Sequence, residues 1–356
     1  MNARVPTDAH ARADAHVQAM MRWHFDPATG SRYWLERRDR LGFDPVEDVR
    51  RVDDLLKFPN LVDELRDVPV EDLIPRGLDA AEKVLAVYES GGTTGAPKRF
   101  VMFERWLDQY MEWENSHYPD DGTGHALAVA PSGPHMLGEY SRRIAEARGG
   151  IRFSIDLDPR WVKRLISTGD TAGAAAYVEH LVDQAELVLR SQDIAFLITT
   201  PPLLSRMAKR ASVRTLIQEK VRLILWTGAH MDADTLDYLA TEFFPKVRFR
   251  GSYGSTSVLS GTVERLDPEG TGEAVFDSYA PFVLYRVVDP VTGQPVPYGT
   301  EGAVVMNHIT RYGLVPNSLE RDLATRVPSP TGVGDSLRDI HPAAEMDGQR
   351  MIEGVY

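Results

Sequence analysis

The nine residues from Ser90 to Lys98, Ser-Gly-Gly-Thr-Thr-Gly-Ala-Pro-Lys, hold the chain's densest set of groups suited to a phosphate. Gly91, Gly92 and Gly95 permit positive φ and let the backbone approach a ligand closely. Ser90, Thr93 and Thr94 supply hydroxyls, successive N–H groups can form an anion-binding nest, and Lys98 adds a positive charge. The order differs from the GxxxxGK[ST] of a P-loop. On residue types alone, a Gly-Thr turn between a strand and a helix explains the segment equally well. The whole string is far more specific than its glycines.

The elements that must position this loop are readable around it. Short apolar runs at Val84–Tyr88, Ala126–Ala130, Ile151–Ile155, Ala195–Thr199, Val221–Trp226 and Val247–Gly251 have the length of buried strands. Helices are expected near 101–117, 139–148, 172–190, 202–210 and 232–243, the clearest being 172–190 with Tyr177, Leu181 and Ala185 four apart. Such alternation predicts an α/β fold with mostly parallel, helix-covered sheets. Ahead of it, 1–20 reads as a polar lead-in and 21–80 as irregular helix. After 270, strand-like runs separated by Asp289–Gly293 and Pro297–Gly299 predict a smaller antiparallel β subdomain. Loops with at most one short strand are expected over 311–356.

Bulk properties restrict the function. The 356 residues include 43% hydrophobic and 26% charged residues, enough for a large core. A net charge of −12 argues against nucleic acid or an anionic membrane as a partner. With no cysteine, thiolate nucleophiles and cysteine-bound zinc are excluded. A cytoplasmic location is expected, because the N-terminus has no apolar signal core and no run approaches the ~20 residues of a membrane span. No His, Asp or Glu group has metal-site spacing. Asp120/Asp121 and Asp156/Asp158 read as turn caps, and Arg37-Arg38 and Arg142-Arg143 as exposed helix charges.

The string Ser90–Lys98 resembles the signature loop of the adenylate-forming superfamily, and the resemblance covers roughly residues 20–340. Tyr33–Arg37, Gly42–Pro45 and Asp53–Leu56 with Pro59 resemble the opening of its phenylacetate-CoA ligase branch. The short adenylation-like proteins of phenazine antibiotic biosynthesis share the layout. The resemblance implies ATP or AMP as the bound nucleotide, with Ser90 to Gly95 and the catalytic Lys98 on its phosphates. Trp226-Thr227-Gly228-Ala229 resembles the turn that lies against adenine, with Thr227 in place of a glycine. Gly251–Ser257 resembles the Tyr-Gly-x-Thr-Glu motif. Through it Ser252, Tyr253, Gly254 and Ser255 become nucleotide-binding candidates, Tyr253 the adenine-stacking ring and Thr256 a catalytic contact to the α-phosphate.

Two departures bear on the chemistry. Ser257 stands where the family has a magnesium-ligating Glu, and a hydroxyl is a poor ligand for a hard dication. Mg2+ is therefore either not used or supplied differently. Glu320-Arg321-Asp322-Leu323 resembles Thr-Arg-Asp-Leu, which makes Asp322 the ribose ligand. Gly332-Val333-Gly334-Asp335 resembles the hinge motif with Val333 replacing an arginine and Asp335 as the hinge aspartate. The acyl pocket is expected at His135, Gly138, Tyr140 and Trp226, although a lone His is more often structural.

The expected organisation is an adenylation-type domain over 1–330, with a helical lead-in at 1–80, an α/β core at 84–255 and a β-rich subdomain at 270–310. A hinge remnant follows at 331–356 without the family's small C-terminal domain. No lysine follows Lys246, so that domain's catalytic lysine has no counterpart in the sequence. The leading expectation is ATP-dependent activation of an aromatic or planar carboxylic acid as an acyl-adenylate, in antibiotic biosynthesis. A downstream pathway enzyme would take the acyl group, or a C-terminal domain would act in trans. A homodimer is carried over from the branch. The competing expectation is a protein that binds AMP, an acyl-adenylate or an aromatic acid as carrier or chaperone without making it.

Overall fold

Helix α1 runs from Thr7 to Phe25, where the sequence suggested a polar lead-in. Ala13, Val17, Met21 and Phe25 recur every four residues and are almost completely buried, which gives a helix a single apolar stripe. The polar residues that obscured this stripe dock the helix. His16 Nε2 lies 2.7 Å from the Ile309 carbonyl, His24 Nε2 2.7 Å from that of Thr310, and Trp23 Nε1 donates to Arg311 O at 2.9 Å. Helix α2 (Arg32–Arg37) repeats the device through Trp34 Nε1 and Leu314 O at 3.0 Å. A short α3 (Pro45–Asp48) starts at a proline behind the capping carboxylate of Asp44.

This computed structural model describes residues 7–90, 96–266, 274–343, 345–346 and 349–350. They divide into two units. The first holds the described residues of 7–90, 96–110 and 255–346, and the second is built on 111–254. In the first unit, β1 (Val84–Glu89) does not join a parallel sheet. It pairs antiparallel with β2 (Arg99–Phe103), Glu89 opposite Arg99. The Gly-Thr loop therefore links two strands of a hairpin, and a helix, α4 (Glu104–Ser116), begins only after the second strand.

The second unit alternates strand and helix: β3 (His125–Ala130), α5 (Met136–Ala147), β4 (Arg152–Asp156), α6 (Pro159–Ser167) and α7 (Thr171–Ser191) come first. Then follow β5 (Ile194–Thr199), α8 (Pro201–Lys209), α9 (Ala211–Lys220), β6 (Leu223–Thr227), α10 (Ala233–Tyr238) and β7 (Arg248–Ser252). The five strands lie parallel in the order β4-β3-β5-β6-β7. Every residue of β5 and β6 is buried, as expected of strands covered on both faces. Asp121 is not the turn cap suggested by the sequence. It is buried, and its carboxylate is shared by Arg148 and Arg250. Removing one member of such a set costs ~3–5 kcal/mol, because a buried charge loses its partner.

The chain returns to the first unit through β8 (Gly254–Ser255) and β9 (Ser260–Gly261). An antiparallel sheet follows, made of β10 (Val263–Leu266), β11 (Ala274–Asp277), β12 (Val283–Val288), β13 (Glu301–Thr310), β14 (Gly313–Pro328) and β15 (Asp335–Pro342), ordered β10-β11-β15-β14-β13-β12. The sixteen-residue β14 and the whole of β15 lie where loops were expected. Prolines and charges hid β14, and it accommodates them by two irregularities. Asn317, at φ 49°, marks the first. At the second, Leu319 pairs with Val305 and Leu323 with Ala303, so Glu320-Arg321-Asp322 bulges opposite Val304 alone. Bulges re-aim side chains and are frequent beside functional sites.

Candidate functional site

The stem of the Gly-Thr loop is tied on both sides. Ser90 N donates to Lys98 O at 3.0 Å and Lys98 N to Ser90 Oγ at 3.3 Å. Gly91, Gly92, Thr93, Thr94 and Gly95 lie outside the described residues. A 3₁₀ turn at Val62–Arg66 supplies two groups that sequence reasoning missed. Arg66 donates to the Ala96 carbonyl, and Asp63 Oδ1 lies 3.0 Å from Lys98 Nζ. Burial opposes ionisation of Asp63, but hydrogen bonds and charge from Lys98 and Arg66 outweigh it and hold the carboxyl below its usual range.

A second group forms in the same unit. Ser255 Oγ accepts from Ser257 N at 3.2 Å and so starts a 3₁₀ turn over Thr256–Val258. The same hydroxyl lies 3.4 Å from Glu320 Oε1, with Ser318 Oγ at 3.5 Å. Burial and the neighbouring Asp322 charge push Glu320 up to about 7, against the pull of Lys98 and the hydroxyls of Ser255 and Ser257. Thr256 is half-buried between the two serines. Sequence reasoning noted that Ser257 offers no carboxylate, but did not see that Glu320 brings one to its hydroxyl. Among the described residues no three His, Cys, Asp or Glu gather as a metal site. One carboxylate flanked by hydroxyls nevertheless fits Mg2+, which keeps several waters and takes its other oxygens from substrate phosphates.

In the second unit the candidates gather at the C-terminal edge of the parallel sheet, where α/β sheets bind ligands. Trp226 closes β6 with its ring against Gly251 on β7, and a Cβ at Gly251 would come within 2.5 Å of that ring. Thr227, which replaces a glycine of the resembling motif, donates its hydroxyl to Ser252 O at 2.7 Å and joins the two strand ends. Gly228 then turns at φ 81° into Ala229. Tyr253 is half-buried and Gly254 exposed directly after β7. Beyond β5, the fully buried Thr200 has a hydroxyl with no hydrogen-bond partner among the described residues. Nothing in the sequence drew attention to it.

His135 is the N-cap of α5, its carbonyl accepting from Gly138 N at 3.1 Å and its own N–H donating to Ser132 O at 2.7 Å. Ser132 is held in turn by Asp156 at 2.8 and 2.6 Å. Gly138 packs so closely on Ser132 that a Cβ would stand 3.0 Å from it. Tyr140 is buried and donates to Glu114, whose carboxyl burial pushes up to about 7.

Asp335 begins β15 with no exposed surface. Its Oδ2 accepts from Val287 N at 3.1 Å, and Oδ1 lies 2.9 Å from Arg326 Nε. Val333 beside it is buried. Asp335 is thus integrated into the antiparallel sheet, and Val333 is buried in the bend that leads into it.

The parallel sheet with its separate antiparallel sheet defines the adenylate-forming enzyme fold. The chain resembles 2-hydroxyisobutyryl-CoA ligase solved with 2-HIB-AMP and CoA in the thioesterification state. Identity is 15% and the TM-score 0.64, over 98% of this chain and 70% of that one. The same ligase in its postadenylation state with 2-HIB-AMP gives 14% identity and a TM-score of 0.64, over 99% and 72%. This likeness is one of fold. No protein-family model and no curated protein matches the sequence. Among the described residues no helix is long and apolar enough to cross a membrane.

Proposed function

We propose that the chain activates a carboxylic acid with ATP. A carboxylate oxygen bonds to the α-phosphorus, the bond from that phosphorus to the bridging oxygen breaks, and pyrophosphate leaves with the electron pair. The observation that carries this reading is the gathering of Lys98, Ser255, Ser257 and Glu320 in the first unit, at the stem of the Gly-Thr loop.

The Ser90–Lys98 clamp ties the two ends of a loop whose glycines and hydroxyls suit phosphate oxygens. Lys98, poised on Asp63, turns its charge to the phosphates, and the Thr256 hydroxyl donates to an α-phosphate oxygen. Glu320, flanked by Ser255 and Ser257, would hold Mg2+. When bound, that ion neutralises phosphate charge as the leaving group departs. Tyr253 stacks on the adenine and Asp322 accepts from the ribose hydroxyls, as the resemblance implies. The acid is aromatic or planar, with His135, Gly138, Tyr140 and Trp226 around it. A role in antibiotic biosynthesis follows from the branch resemblance.

Acid-dependent exchange of labelled pyrophosphate into ATP tests this. Exchange is expected with at least one aromatic acid, and Lys98→Ala lowers it ~10²–10³-fold. No exchange over a broad acid panel, with folded protein, overturns the reading.

A second reading, a carrier of AMP or an acyl-adenylate, is favoured by Lys98 being already neutralised by Asp63. Calorimetry separates the two. The carrier binds ATP and AMP but turns over nothing, even beside its pathway partners.

A further inference from the structure

The second unit contains a buried carboxyl that the proposed chemistry does not use. Glu114 lies near the end of α4 and is 2% exposed. Its Oε1 accepts from the Tyr140 hydroxyl, and its Oε2 has no hydrogen-bond partner among the described residues. The two arginines whose charges it feels, Arg148 and Arg250, both bond Asp121 instead. Burying an acid in such a place is costly, and an apolar side chain of the same length would fill the space without an unpaired oxygen. Packing alone does not call for a carboxyl there.

Tyr140 passes the contact on. With its hydrogen committed to Glu114, its oxygen accepts from the Ser252 hydroxyl. Ser252 ends β7, and its carbonyl accepts from Thr227 at the end of β6. The strand end is therefore braced from two sides, by Thr227 through the backbone and by Tyr140 and Glu114 through the side chain. Tyr253 follows directly and is half-buried. Without an acceptor at position 114, the Tyr140 hydrogen would turn to Ser252 Oγ and the chain of hydroxyls would reverse. Burial pushes the Glu114 carboxyl up to about 7, but both of its forms keep an oxygen that accepts.

We propose that Glu114 is a positioning residue for the end of β7, and that through Tyr140 and Ser252 it fixes the direction in which Tyr253 is presented. It touches neither acid nor nucleotide itself. Its effect on nucleotide binding rests on the adenine-stacking role given to Tyr253 under the proposed function.

Two measurements on the full chain test it. Without nucleotide, the ring NMR signals of Tyr253 are expected to move in Glu114→Met, which has the length but no such acceptor, and to stay in Glu114→Gln, which keeps one. With AMP, calorimetry is expected to show Glu114→Met binding roughly fivefold more weakly, the effect of one neutral hydrogen bond, and Glu114→Gln binding as the parent does. Tyr140→Phe breaks the same chain at its centre and loses as much, which carries the test if Glu114→Met does not fold. In Tyr253→Leu the Glu114→Met change costs less than about twofold, because no ring is left to aim. A side chain that only packs would lower the urea midpoint without this dependence on Tyr253. The proposal is overturned if the Tyr253 signals ignore Glu114→Met, if Glu114→Gln behaves as Glu114→Met does, if Glu114→Met or Tyr140→Phe binds AMP as the parent does, or if Tyr253→Leu leaves the full loss in place. Failure of the parent to bind AMP overturns the adenylation reading instead, and the Tyr253 signals still decide this one.

Discussion

Asp63 Oδ1 sits 3.0 Å from Lys98 Nζ and holds the loop's one lysine in an ion pair. The Asp63 side chain is 72% exposed, so the pair adds little to stability, about 0–1 kcal/mol. Its effect falls on the lysine's availability. Asp63→Asn is expected to leave the melting temperature within ~2 °C while tightening ATP binding severalfold, because Lys98 no longer has to be released. Calorimetric titration checks this, and weaker binding in the variant would refute a gating role for Asp63.

If Glu320 holds Mg2+ as proposed, nucleotide binding is expected to depend on pH. Its carboxyl is held near 7 by burial and by Asp322, so the ionised form grows as pH rises through that value. ATP affinity in the presence of Mg2+ should climb between about pH 6 and 8 and be flat in Glu320→Gln. Equal slopes in the two proteins would remove Glu320 from the metal site.

The same groups shape stability. His24 and His308 are lowered to about 4 by burial, so the unfolded chain binds more protons and stability falls as pH drops from about 6.5 toward 4. Glu114 and Glu320, raised to about 7, act in the opposite sense, since their stabilising proton is lost as pH rises from about 4.5 to 7. Two groups oppose two, and urea midpoints should vary little between pH 4.5 and 6.5. Glu320→Gln removes one opposing group and exposes a net acid loss of up to ~1.4 kcal/mol per pH unit. A flat profile in that variant would contradict the assignment.

Gly251 is required for the seat of Trp226. Gly251→Ala places a methyl within 2.5 Å of the indole ring, an overpacking that costs ~1–3 kcal/mol. Denaturation should report the loss, together with a shift in tryptophan emission as the ring is displaced. An unchanged spectrum and stability would mean that the strands separate freely there.

The parallel strands were legible because Ile194–Thr199 and Leu223–Thr227 are unbroken buried runs, a signal that needs no partner to be read. The lead helix was not, because His16, Trp23 and His24 look like surface polarity until the carbonyls of Ile309, Thr310 and Arg311 are brought to them. The loop was legible as a motif, but its setting in a hairpin was not, since Arg99–Phe103 is short enough to be absorbed into the helix that follows. Glu320 escaped notice because it meets Ser255 across 65 residues of sequence. Local spacing carries no trace of such a pairing.

The bulge at Glu320-Arg321-Asp322 has a consequence for how this chain could change. Leu319 and Leu323 bracket it, and both pack on the core formed by Val288, Ala303 and Val305. Four steps along β14 match two along β13, so the count is even on both strands and the core-facing alternation resumes in phase. The charged Glu-Arg-Asp triplet is therefore a replaceable insert. Mutation can rewrite its charges while the sheet beneath keeps its register, which lets ligand chemistry evolve separately from folding.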